Sequence, residues 1–134
     1  MSTTPASRIV TGVDFVSVPT RDVERAAVFY GETLGLRRSM YKPERNFAEF
    51  ETETVTLSVV NPERMGIGSF QPNRNHLALH VEDVRAARAE LESRGVEFHG
   101  DVLDTGVCHM AFFDDPEGNA LMLHHRYAPR VPEG

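Results

Sequence analysis

Tryptophan is absent from the 134 residues and cysteine occurs once. A single thiol forms no internal disulfide, so the chain has no disulfide framework and suits a reducing compartment. Long apolar runs are also missing. The start, Met1 to Arg8 (MSTTPASR), has no basic region followed by an apolar stretch. Neither a secretory signal nor a transmembrane helix is expected, and a cytoplasmic location follows. Positive charge is scarce as well. Fourteen Lys plus Arg against twenty Asp plus Glu leave a net charge of -6, and such a surface repels phosphate backbones and anionic lipid. No nucleic-acid partner and no membrane partner are expected.

What is present is core material. Apolar residues make up 40% and include eight Phe and three Tyr, enough to build a packed interior in one domain of ordinary size. The lone Cys108 reads as a small buried apolar residue, because its only candidate activating neighbour, His109, points to the opposite face of a strand.

The chain repeats itself. Shifted by 61 residues, Asp14-Phe15-Val16-Ser17-Val18 lies over Asn75-His76-Leu77-Ala78-Leu79, Asp22-Val23 falls on Asp83-Val84 and Ala26 on Ala87. Each copy opens with a short apolar strand, Phe15 to Val18 or His76 to Val81. A helix with an Asp22 or Asp83 N-cap follows, stopped by Gly35 or Gly95. Three strand candidates then follow in each copy: Arg37 to Tyr41, Asn46 to Glu51 and Thr54 to Val60, then Val96 to Asp101, Val107 to Phe113 and Ala120 to His125. The order is βαβββ twice. Asp115-Pro116-Glu117-Gly118-Asn119 reads as the turn before the last strand, and Glu53 with its Thr neighbours as a shorter equivalent.

These signals predict an α+β fold: residues 1–10 as a tail, 11–127 as one domain, and 128–134 as a second tail. The domain comprises a first module (11–61), a linker rich in Pro, Gly and Asn (62–74) and a second module (75–127). Alternation puts Phe15, Ser17 and Pro19 on one side of the first strand, with His76, Ala78 and His80 on the equivalent side of its repeat. The other side is uniformly apolar and suits packing against helices. The mixed side suits a pocket wall.

Three motifs carry a resemblance. Asp22-Val23-Glu24-Arg25-Ala26-Ala27-Val28-Phe29-Tyr30 runs into Leu34-Gly35-Leu36; Asn75 to Val84 reads NHLALHVEDV; and Phe113 to Leu121 reads FDDPEGNAL. In that order on a twofold repeat, the chain resembles the vicinal oxygen chelate superfamily of glyoxalases, bleomycin and fosfomycin resistance proteins and ring-cleaving dioxygenases. The resemblance implies paired βαβββ modules whose open sheets curve around a shared cavity, commonly in a homodimer. It also implies a divalent metal site of His and Glu residues on the first and last strands, and does not fix the reaction.

Compared residue by residue, that implied site is incomplete. His76 stands where the family places a metal-binding His. Phe15 stands at the equivalent position of the first module, and Met122 where the last-strand Glu is expected. A phenyl ring cannot coordinate a divalent ion, and a thioether suits soft Cu(I) rather than Zn, Mn, Ni or Fe(II). No complete metal site is expected. His80 lies four residues from His76, about 13 Å along a strand, too far to share one ion. His124, on the same side as Met122, is the candidate substitute ligand or catalytic group. Thr54, Thr56 and Ser58 are weak ligands. Glu49, flanked by Ala48 and Phe50, is a catalytic candidate suited to proton abstraction if it points inward; if it points outward, it is an ordinary edge residue.

Two functions stay open. The first is a binder of small, aromatic or amphiphilic molecules needing no cofactor, with a cavity lined by Phe15, Ser17, His76, Ala78, His80, Met122 and His124. The second is a lyase, isomerase or dioxygenase that uses a divalent metal (Zn, Mn, Ni or Fe) in a rearranged site with His76 and His124, or acid–base chemistry by histidine and Glu49. His99, His109 and His125 read as solvated or rim residues. Glu82-Asp83 is accounted for by helix capping, and Asp114-Asp115 by the turn.

Overall fold

Asp22 and Asp83 act as the N-caps that their positions predict. Asp22 accepts from the Arg25 amide at 3.1 Å, and Asp83 accepts from the Ala86 amide at 3.0 Å. These caps start helices α1 (Val23–Val28) and α2 (Val84–Ser93). The computed structural model describes residues 7–131, so the expected tails lie partly outside the described residues. Around the helices run β1 (Phe15–Pro19), β2 (Arg37–Lys42), β3 (Phe47–Glu51) and β4 (Thr56–Val60), then β5 (Leu77–His80), β6 (Phe98–Asp104), β7 (Cys108–Asp114) and β8 (Ala120–Arg126).

The strands form two four-stranded mixed sheets, ordered β1-β4-β3-β2 and β5-β8-β7-β6. In each, the first strand pairs in parallel with the last and the other pairs are antiparallel. The fold is α+β, as the repeated βαβββ order predicts. Gly35 and Gly95 end the helical segments at φ 77° and 93°, the left-handed conformation that Gly enters without a Cβ penalty.

The first helical segment between the Asp22 cap and Gly35 is not a regular α-helix throughout. After Val28 it widens into a π turn, Phe29–Thr33, in which the Leu34 amide donates to the Phe29 carbonyl at 2.9 Å. Phe29 and Tyr30, at the start of this turn, are both buried. Gly31, in the same turn, is a close-approach glycine: a Cβ there would stand 3.2 Å from Cε1 of Phe50.

One apolar interior joins the two modules on the helix-covered faces of the sheets. Val18, Tyr30, Phe50, Leu57 and Val59 from the first module meet Val84, Leu91, Phe113, Leu121 and Leu123 from the second. Burying each such side chain is worth about 1.5–3 kcal/mol. The Asp115–Asn119 turn does more than reverse the chain. The Asp115 side chain is buried, accepting from the Tyr30 hydroxyl at 2.6 Å and from Asn119 Nδ2 at 2.8 Å. Asn119 Nδ2 also donates to the Pro19 carbonyl at 2.8 Å. Glu117 accepts from the Thr20 hydroxyl and the Arg21 amide, both at 3.0 Å, and pairs with the Arg21 guanidinium at 3.1 Å. The turn of one module thus clasps the other.

Candidate functional site

The ladder register decides which side chains share the open face of each sheet. In the first, Phe15 pairs with Thr56 and Ser17 with Ser58, while Thr56 pairs with Glu51 and Ser58 with Glu49. Side chains of paired residues project to the same face, so Glu49 lies on the open face beside Ser58 and Met40. Ala48 and Phe50 point into the core. This settles the side that parity alone left undecided.

Glu51 occupies the same open face and was not singled out from the sequence, although it lies two residues from Glu49 and shares its parity. The Ser39 hydroxyl donates to it at 2.5 Å and the Thr56 hydroxyl at 2.7 Å. These two donors hold its carboxyl below the usual carboxylate range, Ser39 contributing most. The residue beside Phe15 is therefore a threonine tied to a fixed carboxylate.

In the second sheet, Ala78 pairs with Met122 and His80 with His124. Met122 pairs in turn with Phe112, and His124 with Met110. His76 precedes β5 and stacks edge-on against Phe112, ring centroids 4.9 Å apart. His76, Ala78, Met122 and Phe112 thus form one patch. His124 stands with His80, four residues further along, so His76 and His124 are not brought together within one chain. His80 leans to Glu82, 3.2 Å from Nε2 to Oε1.

A divalent ion of the kind the resemblance implies does not fit the donors at these positions. His76 is the one strong ligand among Phe15, Thr56, His76 and Met122, whereas lasting sites supply three or four. The open faces are also uncovered. Phe15 is 55% exposed, Leu103 48% and Met40 41%. Two hollows among the described residues lie elsewhere. One, of about 440 Å³, sits between the modules against Phe29, Arg94, His99 and Asp114. The other, of about 290 Å³, lies beside Gly31, Arg38 and Tyr41. Neither is lined by Phe15, Ser17, His76, Ala78, His80, Met122, His124 or Glu49.

The remaining candidates have structural partners. Cys108 is buried with its Sγ 3.1 Å from the Thr105 hydroxyl. His99 faces Asp114 at 3.4 Å and His109 faces Asp104 at 3.4 Å. His125 is half-buried, with Nδ1 3.1 Å from the Val81 carbonyl. No helix among the described residues is long and apolar enough to cross a membrane.

Comparison with known proteins bears on what such a pair of sheets does. The profile of the Glyoxalase/Bleomycin resistance protein/Dioxygenase superfamily matches residues 12–123. No curated protein matches the chain. Among solved structures, TnmS3, an antibiotic binding protein from Streptomyces sp. CB03234, is 28% identical, with 89% of this chain and 98% of that one covered at a TM-score of 0.73. A glyoxalase/bleomycin resistance protein/dioxygenase from Nocardioides is 20% identical over 96% and 92%, TM-score 0.74. Lactoylglutathione lyase from Agrobacterium tumefaciens is 17% identical over 90% and 94%, TM-score 0.73. The last two are similar to the chain in fold alone.

Proposed function

Because the chain belongs to the glyoxalase/bleomycin resistance protein/dioxygenase superfamily, we propose that it is a small-molecule-binding protein of the drug-binding kind whose chelating site has degenerated. The observation that carries this reading is the pair Phe15 and Met122. Each stands where the family's pattern calls for a ligand, on an open sheet face otherwise suited to line a pocket. The likeness to an antibiotic binding protein at 28% identity supports it. The ligand class is aromatic or amphiphilic: Phe15, Phe112 and Met122 offer ring and thioether contact, while His76, His80 and His124 supply polar anchors. Ser17 and Ala78 leave room between them.

A second copy of the chain completes the pocket in this reading. One chain leaves Phe15, Met40 and Leu103 exposed on its open faces, and a homodimer would cover them. Calorimetric titration of untagged protein with a panel of aromatic and amphiphilic antibiotics, bleomycin among them, tests the proposal. At least one compound is expected to bind, with the same affinity after exhaustive chelation. Loss of all binding on chelation would count against the reading, as would sedimentation as a monomer at the concentrations where ligand binds.

A second reading is favoured by one observation, the placement of Glu49 on the open face beside Ser58. There it could serve as a proton acceptor for a bound substrate, in an acid–base enzyme that needs no metal. Glu49→Gln separates the two: an enzyme loses turnover while keeping affinity, whereas a binder has no turnover to lose.

A further inference from the structure

His80, Glu82 and His125 meet at the far end of β5 from His76, outside both hollows and outside the positions where the family resemblance implies a metal. One ligand atom from each lies within 4.8 Å of the other two. His80 Nε2 is 3.2 Å from Glu82 Oε1, close to the ~3.4 Å between neighbouring ligands on a tetrahedral ion with bonds near 2.1 Å. The His80 and His125 ring centroids are 5.8 Å apart.

A second observation singles out His125. Its Nδ1 lies 3.1 Å from the backbone carbonyl of Val81. A carbonyl only accepts, so Nδ1 is the donor, and in the neutral ring Nε2 is the nitrogen that offers a lone pair. Metal-binding histidines are oriented in the same way, by an outer partner on the second nitrogen. The carbonyl belongs to the residue between His80 and Glu82, so the segment that supplies two ligands also orients the third. Val81 is held in turn by its amide, which donates to the His124 carbonyl at 3.1 Å.

We propose that His80, Glu82 and His125 form a binding site for a borderline divalent cation of the zinc class. Two imidazoles and one carboxylate favour Zn²⁺, Co²⁺ or Ni²⁺ over Mg²⁺ and Ca²⁺, which prefer an all-oxygen shell. Three protein ligands leave a fourth position for water or an exogenous donor. His80 and Glu82 have side chains 64% and 89% exposed, so both are free to close around an ion while His125 stays fixed. The site shares His80 with the proposed ligand pocket but includes none of Phe15, His76 and Met122, so a chelator that empties it leaves those pocket contacts in place.

The test is competition for Zn²⁺ between a chromogenic chelator and the full-length, untagged protein, repeated with Co²⁺ to read the ligand field. The expected result is one ion per chain, with a tetrahedral Co²⁺ spectrum. Affinity should fall about tenfold or more in His80→Ala and in Glu82→Gln, since loss of even an outer partner costs that much. Both residues are exposed, so these variants keep the fold, whereas His125→Ala also removes the bond to Val81 and needs a melting curve beside it. His76→Ala should bind as the wild type does. Absence of stoichiometric binding overturns the proposal, as does binding that survives in His80→Ala and is lost in His76→Ala.

Discussion

The hydroxyl of Tyr30 donates a 2.6 Å hydrogen bond to the carboxylate of Asp115, joining the π turn of the first module to the β7–β8 turn of the second in the buried interior. Burial and the facing carboxylate push the Tyr30 phenol far above its ordinary range, so it stays a protonated donor wherever the protein is folded. Tyr30→Phe should therefore lower stability by about 1.5–3 kcal/mol, the range for a buried bond to a charged group. Chemical denaturation measures it. A loss below a few tenths of a kcal/mol would mean that Asp115 finds another donor.

Glu117 makes the same junction sensitive to acid. Burial opposes its ionisation, but the Arg21 amide, the Thr20 hydroxyl and the Arg21 guanidinium outweigh it and hold the carboxyl below its ordinary 4.5. A depressed native pKa contributes stability that is complete above the unfolded value and lost as pH falls through the native one. Urea midpoints should thus be insensitive to this group above pH 4.5 and drop below it, and Glu117→Gln should flatten that drop. An unchanged acid limb in the variant would assign the pH dependence to other carboxylates.

Gly31→Ala should destabilise the fold by about 1–3 kcal/mol, although alanine is the better helix former, because the new methyl overpacks the site. Phe50 is fully buried, so its ring must shift within the core for the methyl to fit. In a Phe50→Leu background the same substitution should cost less. Equal costs in the two backgrounds would rule out the ring as the cause.

Phe15→His combined with Met122→Glu, in protein that also carries His80→Ala, should convert the His76 position from no measurable Ni²⁺ binding to stoichiometric binding. Calorimetry reads the change. Binding already present at His76 in the His80→Ala protein would contradict the degenerate-site reading, and failure of the restored set would show that these positions do not converge on one ion.

The repeat of 61 residues made the paired sheets legible, because strand parity and capping carboxylates are local and occur twice in the same order. The helix-facing side of β1 and β5 was legible for the same reason. Glu49 was not, since the face of β3 is set by its pairing with β4 and no residue within the strand encodes that partner. The π turn at Phe29–Thr33 was not legible either, since a period of 3.6 residues does not describe it. Asp115 looked like an ordinary turn residue because its partner, Tyr30, lies 85 positions away. Parity also separated His80 from His125. The two meet because β5 ends at His80 and the chain turns there, and alternation holds only within a ladder.

The clasp runs one way. By the repeat, the counterpart of Tyr30 is Leu91, which has no hydroxyl to offer, and the carboxylate that satisfies Tyr30 belongs to the other copy. The halves have therefore ceased to be interchangeable. Cut apart, each half would lose its side of the Tyr30–Asp115 bond and expose its share of the common interior to water, so the two copies are expected to unfold in one cooperative transition.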